Sequence, residues 1–363
     1  MRYSRCLLLP LSAIMYGALA FAQAPQLILD INPGSGGSMP MRAVAMGDQV
    51  FFVAGTTGMP NELCKSDGTA AGTQLVKDIN PGPPQSGIAL IHPIDGVLYF
   101  GAMDGVHGME LWRSDGSEAG TALVKDINPG TDGAMPSQMT PLNGVVYFSA
   151  GEPATGLELW RTDGTEAGTS LVKDINPGTA NSNIAGLTVI NGLLLFWADD
   201  GVHGWELWRS DGTTAGTTLV KDIAPGMVAS SLSEIVELED LAYFAAADPD
   251  HSSELWRSDG TEAGTWMVKD INPGIAPSAI GFMSVLDDEL IFRARTEEHG
   301  HEFWKSDGTE AGTQMVSDLS PGTASTTVQS RLVANGQYLF YGITDPSAVG
   351  FELYACDGST PIW

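Results

Sequence analysis

A repeat with a period of 48 residues is the feature that most constrains this chain. The tripeptide Asp-Gly-Thr/Ser begins at six equally spaced positions, Asp67, Asp115, Asp163, Asp211, Asp259 and Asp307, and an imperfect copy begins at Asp357. A Glu-Leu-Trp motif and an Asp-Ile-Asn-Pro-Gly motif recur with the same period. In a chain of 363 residues this period predicts a repeat architecture, in which each unit packs against its neighbours.

One repeat unit predicts four short β-strands. Residues Ser137–Leu142 and Val145–Ala150 flank Asn143-Gly144, the strongest two-residue signal for a hairpin. The Glu-Leu-Trp segment then predicts a third strand, and Ser170–Ile175 predicts a fourth after a turn opened by Asp-Gly. Four strands in about 40–50 residues are typical of a β-propeller blade. A solenoid of stacked units is the alternative, but it needs atypical capping repeats at its ends.

The two ends of the chain complement each other. Gln26–Ile31 matches the fourth strand of a unit, whereas the C-terminal copy matches only the first three strands. We therefore predict an all-β fold, a closed seven-bladed β-propeller whose ring is closed when the N-terminal strand joins the last blade. Such closure would remove both open sheet edges.

The repeated motifs also carry a family resemblance. The sequence Glu-Leu-Trp-Arg-Ser-Asp-Gly-Thr-Glu-Ala-Gly-Thr, followed by Leu-Val-Lys-Asp-Ile-Asn-Pro-Gly, resembles the ELWxxDGT-repeat proteins, a group of exported bacterial proteins. The resemblance covers nearly all of residues 23–363 and implies a secreted β-propeller-like protein. It implies no catalytic site and no ligand. Copies one and seven depart from it, with Cys64 and Tyr354 in place of the Trp.

Residues 1–22 have the pattern of a signal peptide. Arg2 and Arg5 precede an apolar stretch that ends in Ala20-Phe21-Ala22, a small-x-small cleavage signal. We expect one domain over residues 23–363, exported to the periplasm, the cell surface or the medium. Cys64 and Cys356 would then meet an oxidising compartment, and we expect both to be free and buried because equivalent faces of adjacent blades do not meet.

The charge balance excludes several partners. The chain has 17 Lys and Arg against 44 Asp and Glu, a formal net charge of −27. Such a chain does not bind a phosphate backbone or an anionic membrane surface, so we expect no nucleic-acid partner, no stable membrane insertion and a monomer. Most basic residues recur at two positions of the repeat, represented by Arg113 and Lys125. For these we expect ion pairs within each blade.

Two metal hypotheses arise from the sequence. The Asp-Ile-Asn-Pro-Gly loops offer oxygen ligands for Ca²⁺, and an Asx-type turn before Pro-Gly is the alternative that we favour. His299-x-His301, flanked by Glu298 and Glu302, is a partial ligand set for a transition metal, without an evident third and fourth ligand. No other cofactor is expected.

Positive charge outside the two repeated positions is concentrated in one part of the predicted ring. Four arginines lie there, and two histidines follow in the same sector: Arg42, Arg293, Arg295, Arg331, His299 and His301. Repeat alignment places all six on one face of blades six, seven and one, which predicts an anion-binding site at the channel mouth. The alternative is four unrelated surface arginines, each paired with a local acid.

No catalytic signature is present in the sequence. It contains no GxSxG, HExxH, P-loop or dinucleotide motif, and the equal repeat lengths leave no insertion to form a lid. We therefore interpret the chain as a non-enzymatic binding or scaffold propeller for a glycan, a small anion or a protein. The alternative is a carbohydrate-active hydrolase or lyase with acidic residues at the channel mouth.

Overall fold

The computed structural model describes residues 25–363 except 57, 83, 227–229, 231–234, 319–321, 324, 326, 332–338, 346–349, 357–360 and 363, and only the backbone of residue 60 and of residues 327–362. The predicted signal peptide therefore lies outside the described residues. No helix in the described part is long and apolar enough to cross a membrane.

The described chain is all-β and forms seven four-stranded antiparallel sheets. The strands of the first to third sheets are β1 Met41–Met46, β2 Gln49–Thr56, β3 Met59–Ser66, β4 Gln74–Lys77; β5 Ala89–Ile94, β6 Val97–Met103, β7 Met109–Ser114, β8 Ala122–Lys125; β9 Ser137–Leu142, β10 Val145–Glu152, β11 Gly156–Thr162, β12 Ser170–Lys173. Those of the fourth and fifth sheets are β13 Ala185–Ile190, β14 Leu193–Asp199, β15 Trp205–Ser210, β16 Thr218–Lys221; β17 Val236–Leu238, β18 Leu241–Asp248, β19 Ser252–Ser258, β20 Trp266–Lys269. Those of the sixth and seventh are β21 Gly281–Leu286, β22 Glu289–Thr296, β23 Gly300–Ser306, β24 Gln314–Ser317; β25 Thr327–Arg331, β26 Leu339–Asp345, β27 Gly350–Cys356, β28 Pro361–Ile362. This propeller-like arrangement matches the predicted four strands per repeat.

In the second to sixth sheets, both central residues of the first hairpin turn have positive φ. Asn143 and Gly144 both have positive φ, 53° and 76°, as a type I′ turn requires. Asp287 and Asp288 adopt the same conformation without a glycine, at 48° and 61°. These turns place two antiparallel strands side by side in each repeat.

Neighbouring sheets pack face to face through large apolar side chains. In the core between the second and third sheets, Leu111 and Val124 contact Phe148 and Trp160. Full burial of a side chain of this size stabilises the fold by about 1.5–3 kcal/mol. The interpretation of the repeated Trp residues as packing between units is therefore confirmed for the sheets with described side chains.

The repeated basic residues bind carbonyl groups of the next sheet. Lys77 Nζ donates to the Thr121 carbonyl at 2.8 Å, and Arg113 Nη1 donates to the Gly164 carbonyl at 2.9 Å. The prediction of ion pairs within each blade is thus wrong, because the turn of the following sheet presents carbonyl oxygens within reach of these side chains. Lys305 with Glu289, at 2.9 Å, is the one Lys–acid or Arg–acid pair found among the described side chains.

The glutamate of each Glu-Leu-Trp motif ties one sheet to the chain that leads to the next. Glu110 is fully buried and accepts hydrogen bonds from the backbone N–H groups of Ile127, Asn128 and Ala134 at 3.0–3.1 Å. Glu158 and Glu206 do the same for their own loops. Burial raises the pKa of Glu110 to about 7, although these N–H groups oppose the shift. The repeated acids are therefore structural.

The Asp-Gly-Thr turn is also structural. Asp115 Oδ1 accepts hydrogen bonds from the backbone N–H and the hydroxyl of Ser117 at 2.8 and 2.7 Å. A side chain at Gly120 would overlap the Asp115 carboxylate, which explains why this position is glycine in the second sheet. The turn thus accounts for the repeated Asp, Thr/Ser and Gly without a ligand.

The prediction of a closed seven-bladed propeller is wrong. Residues 25–40 form no strand, and Leu27 is 83% exposed instead of lying in a sheet. The fourth strand of the seventh sheet is β28, from the C-terminal end of the chain, which pairs with Ala355 and Cys356. The N-terminal segment is therefore not needed to complete that sheet.

The outer face of the first sheet shows the consequence of this open arrangement. Val50 is 43% exposed, whereas Leu98, the equivalent residue of the second sheet, is fully buried. Among the described side chains, Ile31 of the N-terminal segment packs on this face against Phe52 and Cys64. Cys64 is a free, buried thiol as predicted, and burial raises its pKa to about 11. The side chain of Cys356 lies outside the described residues.

The buried glutamates predict an unusual dependence of stability on pH. A carboxyl group whose pKa is about 7 in the folded state and about 4.5 in the unfolded state binds its proton more tightly when folded. This contribution to stability is complete below pH 4.5 and is lost as the pH rises to about 7. The free energy of unfolding, measured by urea titration, should therefore fall between pH 5 and pH 7.5.

Two variants separate this effect from general charge repulsion. Glu110→Gln removes one buried titrating group and should make the decline shallower, whereas Glu118→Gln, at an exposed position, should leave the slope unchanged. A free energy of unfolding that rises steadily from pH 5 to pH 7.5 would contradict the prediction.

Candidate functional site

Most positions of the repeat carry a similar residue in every sheet. One set of positions, at one edge of the sheets, carries chemically different residues from sheet to sheet. We call this the upper edge; it is where the second strand of each sheet ends and the third begins. The cross-strand partners there are Met103 with Met109, Gly151 with Leu157, Asp199 with Trp205, Ala247 with Ser253, and Arg295 with His301. Because the surrounding residues repeat, these pairs distinguish one sheet from another.

The sixth sheet carries the pair Arg295 and His301. Arg293 lies two residues before Arg295 on the same face of the strand. The Arg293 guanidinium stands 5.1 Å from the ring centre of Phe282, in cation–π contact. Its Nε is buried and has no hydrogen-bond partner in the described structure. Burial lowers the pKa of Arg293 from its ordinary value, yet an arginine stays protonated, so a desolvated donor is left to bind an anion.

Phe282 reaches Arg293 because the first strand of the sixth sheet contains a bulge. The register of β21 against β22 shifts between Gly281 and Ser284, and Phe282 has a φ of 56°. In the fourth sheet the equivalent residue is Gly186, and a side chain there would approach Trp197, the equivalent of Arg293, to 3.1 Å. In the fourth and sixth sheets the bulge thus sets one residue of the first strand against this second-strand position.

His301 has the environment of a neutral imidazole. Burial lowers its pKa below the ordinary value of 6.5, and the positive charges of Arg293 and Arg295 lower the pKa further. Its Nδ1 is buried without a hydrogen-bond partner in the described structure. The ring is therefore available to accept a proton from a group that enters the site.

His299 lies in a different environment, although it is only two residues away. Its Nδ1 is 3.1 Å from Asp318 Oδ2, and its Nε2 is 3.8 Å from Glu298 Oε2. His299 thus has acidic neighbours, whereas His301 Nδ1 has no hydrogen-bond partner in the described structure. In the described part of the chain no three His, Cys, Asp or Glu side chains come together in a way that could hold a metal ion.

Of the remaining predicted residues, Arg42 has a described side chain. It is exposed in the bulge of β1, with a φ of 56°, and lines a cavity of about 700 Å³ with residues 26–29. Arg331 ends β25, and its side chain lies outside the described residues. The described cluster therefore consists of Arg293, Arg295 and His301 with Phe282.

Sequence reasoning did not find Phe282, Asp199 or Trp205. The signal was present, since aligning the six complete repeats shows which columns vary in chemistry. The repeated glutamates with described side chains are buried, and Glu110 and Glu158 accept backbone N–H groups. An exposed pair of catalytic carboxylates is not found on these repeated positions.

The chain is similar to solved structures of larger enzymes. One match is a structure from a structural and mechanistic analysis of two prolyl endopeptidases. It is 12% identical with a TM-score of 0.51, and the match covers 89% of this chain and 49% of that chain. A puromycin hydrolase matches at 14% identity and a TM-score of 0.46, covering 90% of this chain and 53% of that one. A Mycobacterium tuberculosis puromycin-hydrolyzing peptidase matches at 11% identity and a TM-score of 0.46, covering 89% of this chain and 53% of that chain. No family model and no curated protein matches the chain.

These comparisons bear on the fold. The chain spans about half the length of the structures it resembles, and at such low identity the likeness shows the fold alone. A fold shared with a prolyl endopeptidase structure at a TM-score of 0.51 speaks against the expectation of a non-enzymatic binding or scaffold propeller. The closed seven-bladed ring is contradicted, because β28 takes the place predicted for the N-terminal strand.

The charge environment of His301 predicts a measurable shift. Arg295→Ala removes one positive charge near the imidazole, so the pKa of His301 should rise toward 6.5. An NMR titration of the imidazole resonances would detect this, and Lys269→Ala in the fifth sheet serves as a control that should leave the value unchanged. An unchanged His301 pKa in Arg295→Ala would show that the two side chains do not interact.

Proposed function

We propose that this chain is a hydrolase that acts on a substrate bearing a carboxylate. The observation that carries the proposal is the half-buried imidazole of His301 beside two guanidinium groups. Arg293 and Arg295 would bind the substrate carboxylate, since arginine offers parallel N–H donors that fit its two oxygens. Similarity to structures named as peptidases supports peptides as the first substrates to test.

The reaction follows from the lowered pKa of His301. The neutral imidazole takes a proton from a water molecule, and the water oxygen attacks the carbonyl carbon of the scissile amide. The protonated imidazole then returns the proton to the leaving nitrogen as the C–N bond breaks. The proton is thus transferred twice, and the enzyme returns to its starting state.

Arg293 is prepared for its role by its surroundings. The ring of Phe282 holds the guanidinium by cation–π contact, and burial removes competing water from its Nε. A carboxylate entering such a site gains more from each hydrogen bond than it would in water. This local cluster operates within a protein of net charge −27, whose long-range repulsion is screened beyond about 8–10 Å.

The kinetic prediction separates binding from chemistry. With short peptides that have a free C-terminal carboxylate, His301→Gln should lower kcat about 10²–10⁴-fold, the usual contribution of a general base. Arg293→Ala should mainly raise KM, by about tenfold, because it removes a charge-assisted hydrogen bond. His107→Gln, in a loop of the second sheet, is the matched control and should leave both parameters unchanged.

The pH profile gives an independent check. Because the pKa of His301 is lowered, the acid limb of kcat/KM should lie below pH 6.5 and move upward in Arg295→Ala. A parallel panel of acidic oligosaccharides tests the carbohydrate alternative. If neither panel shows hydrolysis that depends on His301, the proposed function is wrong.

A further inference from the structure

The fourth sheet carries a second polar pair at the upper edge, Asp199 with Trp205. The indole Nε1 of Trp205 donates to the Asn183 carbonyl at 3.1 Å, and the ring packs on the core between the fourth and fifth sheets. Asp199 Oδ1 accepts the backbone N–H of Gly201 at 2.8 Å. Both side chains are half-buried, so each is held in place and still reaches solvent.

This pair has the chemistry of a cation site. An indole face attracts an ammonium group through the ring quadrupole, and a neighbouring carboxylate adds an ion pair. The nearby Asp200 is already paired with His203, with 2.7 Å between His203 Nδ1 and Asp200 Oδ2. Asp199 is therefore the carboxylate beside Trp205 that can receive a ligand cation.

The fifth sheet lies between this pair and the Arg–His cluster of the sixth sheet. Its residues at the equivalent position are Ala247 and Ser253, and Ala245 precedes them on the same strand face. These are small side chains, whereas the sheets on either side carry Trp205 and Arg295. Among the described residues, the upper-edge pairs therefore change from Asp199 with Trp205 in the fourth sheet, through small side chains in the fifth, to Arg295 with His301 in the sixth.

We propose that Asp199 and Trp205 form a subsite for an amino group, and that the substrate is a short peptide whose two free termini span the fourth to sixth sheets. The N-terminal ammonium would bind the Asp199–Trp205 subsite, and the C-terminal carboxylate would bind Arg293 and Arg295. This inference rests on the proposed hydrolase function and specifies its substrate class.

The spacing of the sheets sets the length of the peptide. Packed sheets lie about 10 Å apart, so two steps place the subsites roughly 20 Å from each other. An extended chain covers about 3.3 Å per residue, which corresponds to about six residues. Peptides much shorter than this would bind only one of the two subsites.

The experiment measures binding of a hexapeptide of alternating glycine and alanine by calorimetry. The full chain carries His301→Gln so that the peptide is not turned over. The hexapeptide is compared in three forms: with both termini free, with an N-terminal acetyl group, and with a C-terminal amide. Tetrapeptide and octapeptide versions test the length.

Each terminus should depend on its own subsite. Acetylation should weaken binding about tenfold, and Asp199→Asn or Trp205→Ala should abolish the difference between the acetylated and free peptides. Amidation should weaken binding to a similar extent, because it removes the carboxylate that would bind Arg295. Asp240→Asn, in an exposed hairpin turn, and Trp266→Ala, at an exposed tryptophan, are the matched controls and should leave both differences intact.

The outcomes distinguish this inference from the function it rests on. If amidation weakens binding but acetylation has no effect, the amino subsite is wrong and the Arg cluster stands. If acetylation weakens binding by the same factor whether residues 199 and 205 are unchanged or carry Asp199→Asn or Trp205→Ala, the ammonium binds elsewhere and the assignment is overturned. If neither modification changes affinity, both the subsite and the proposed carboxylate site are wrong.

Discussion

The hydrogen bonds of the buried glutamate on the third strand determine how one sheet follows the next. Glu110 accepts backbone N–H groups from the chain that leaves β8 and leads to β9, and the same bonds recur in the third and fourth sheets. A buried carboxylate that lost these donors would be left desolvated, which costs several kcal/mol. The chain that leaves the fourth strand is therefore held in the same way in the second, third and fourth sheets.

That constancy explains where the chemistry of the molecule is found. Residues that hold the frame are repeated, so they cannot distinguish one part of a substrate from another. At the upper edge the frame imposes no side chain, and the sixth sheet there has Arg295 beside His301 whereas the fifth has Ala247 beside Ser253. The candidate site thus consists of residues that differ from those at the equivalent positions of the other sheets.

Much of the local structure follows from the sequence. Asn143-Gly144 forms the predicted type I′ turn, and the Trp of each Glu-Leu-Trp motif packs between sheets as expected. The closure of the ring did not follow, because Gln26–Ile31 resembles a fourth strand while Pro361–Ile362 occupies that position in the seventh sheet. Repeat similarity cannot decide between two segments that compete for one sheet edge, since both offer the same backbone hydrogen bonds.

The sequence by itself determined the all-β repeat, the four strands of each unit and the turns between them, because these depend on residues close together in the chain. It also singled out Arg293, Arg295 and His301 as charges outside the repeated columns. Only the tertiary structure placed Phe282 against Arg293. The reason is that this contact depends on strand register and on the bulge in β21, which set side chains of neighbouring strands against each other.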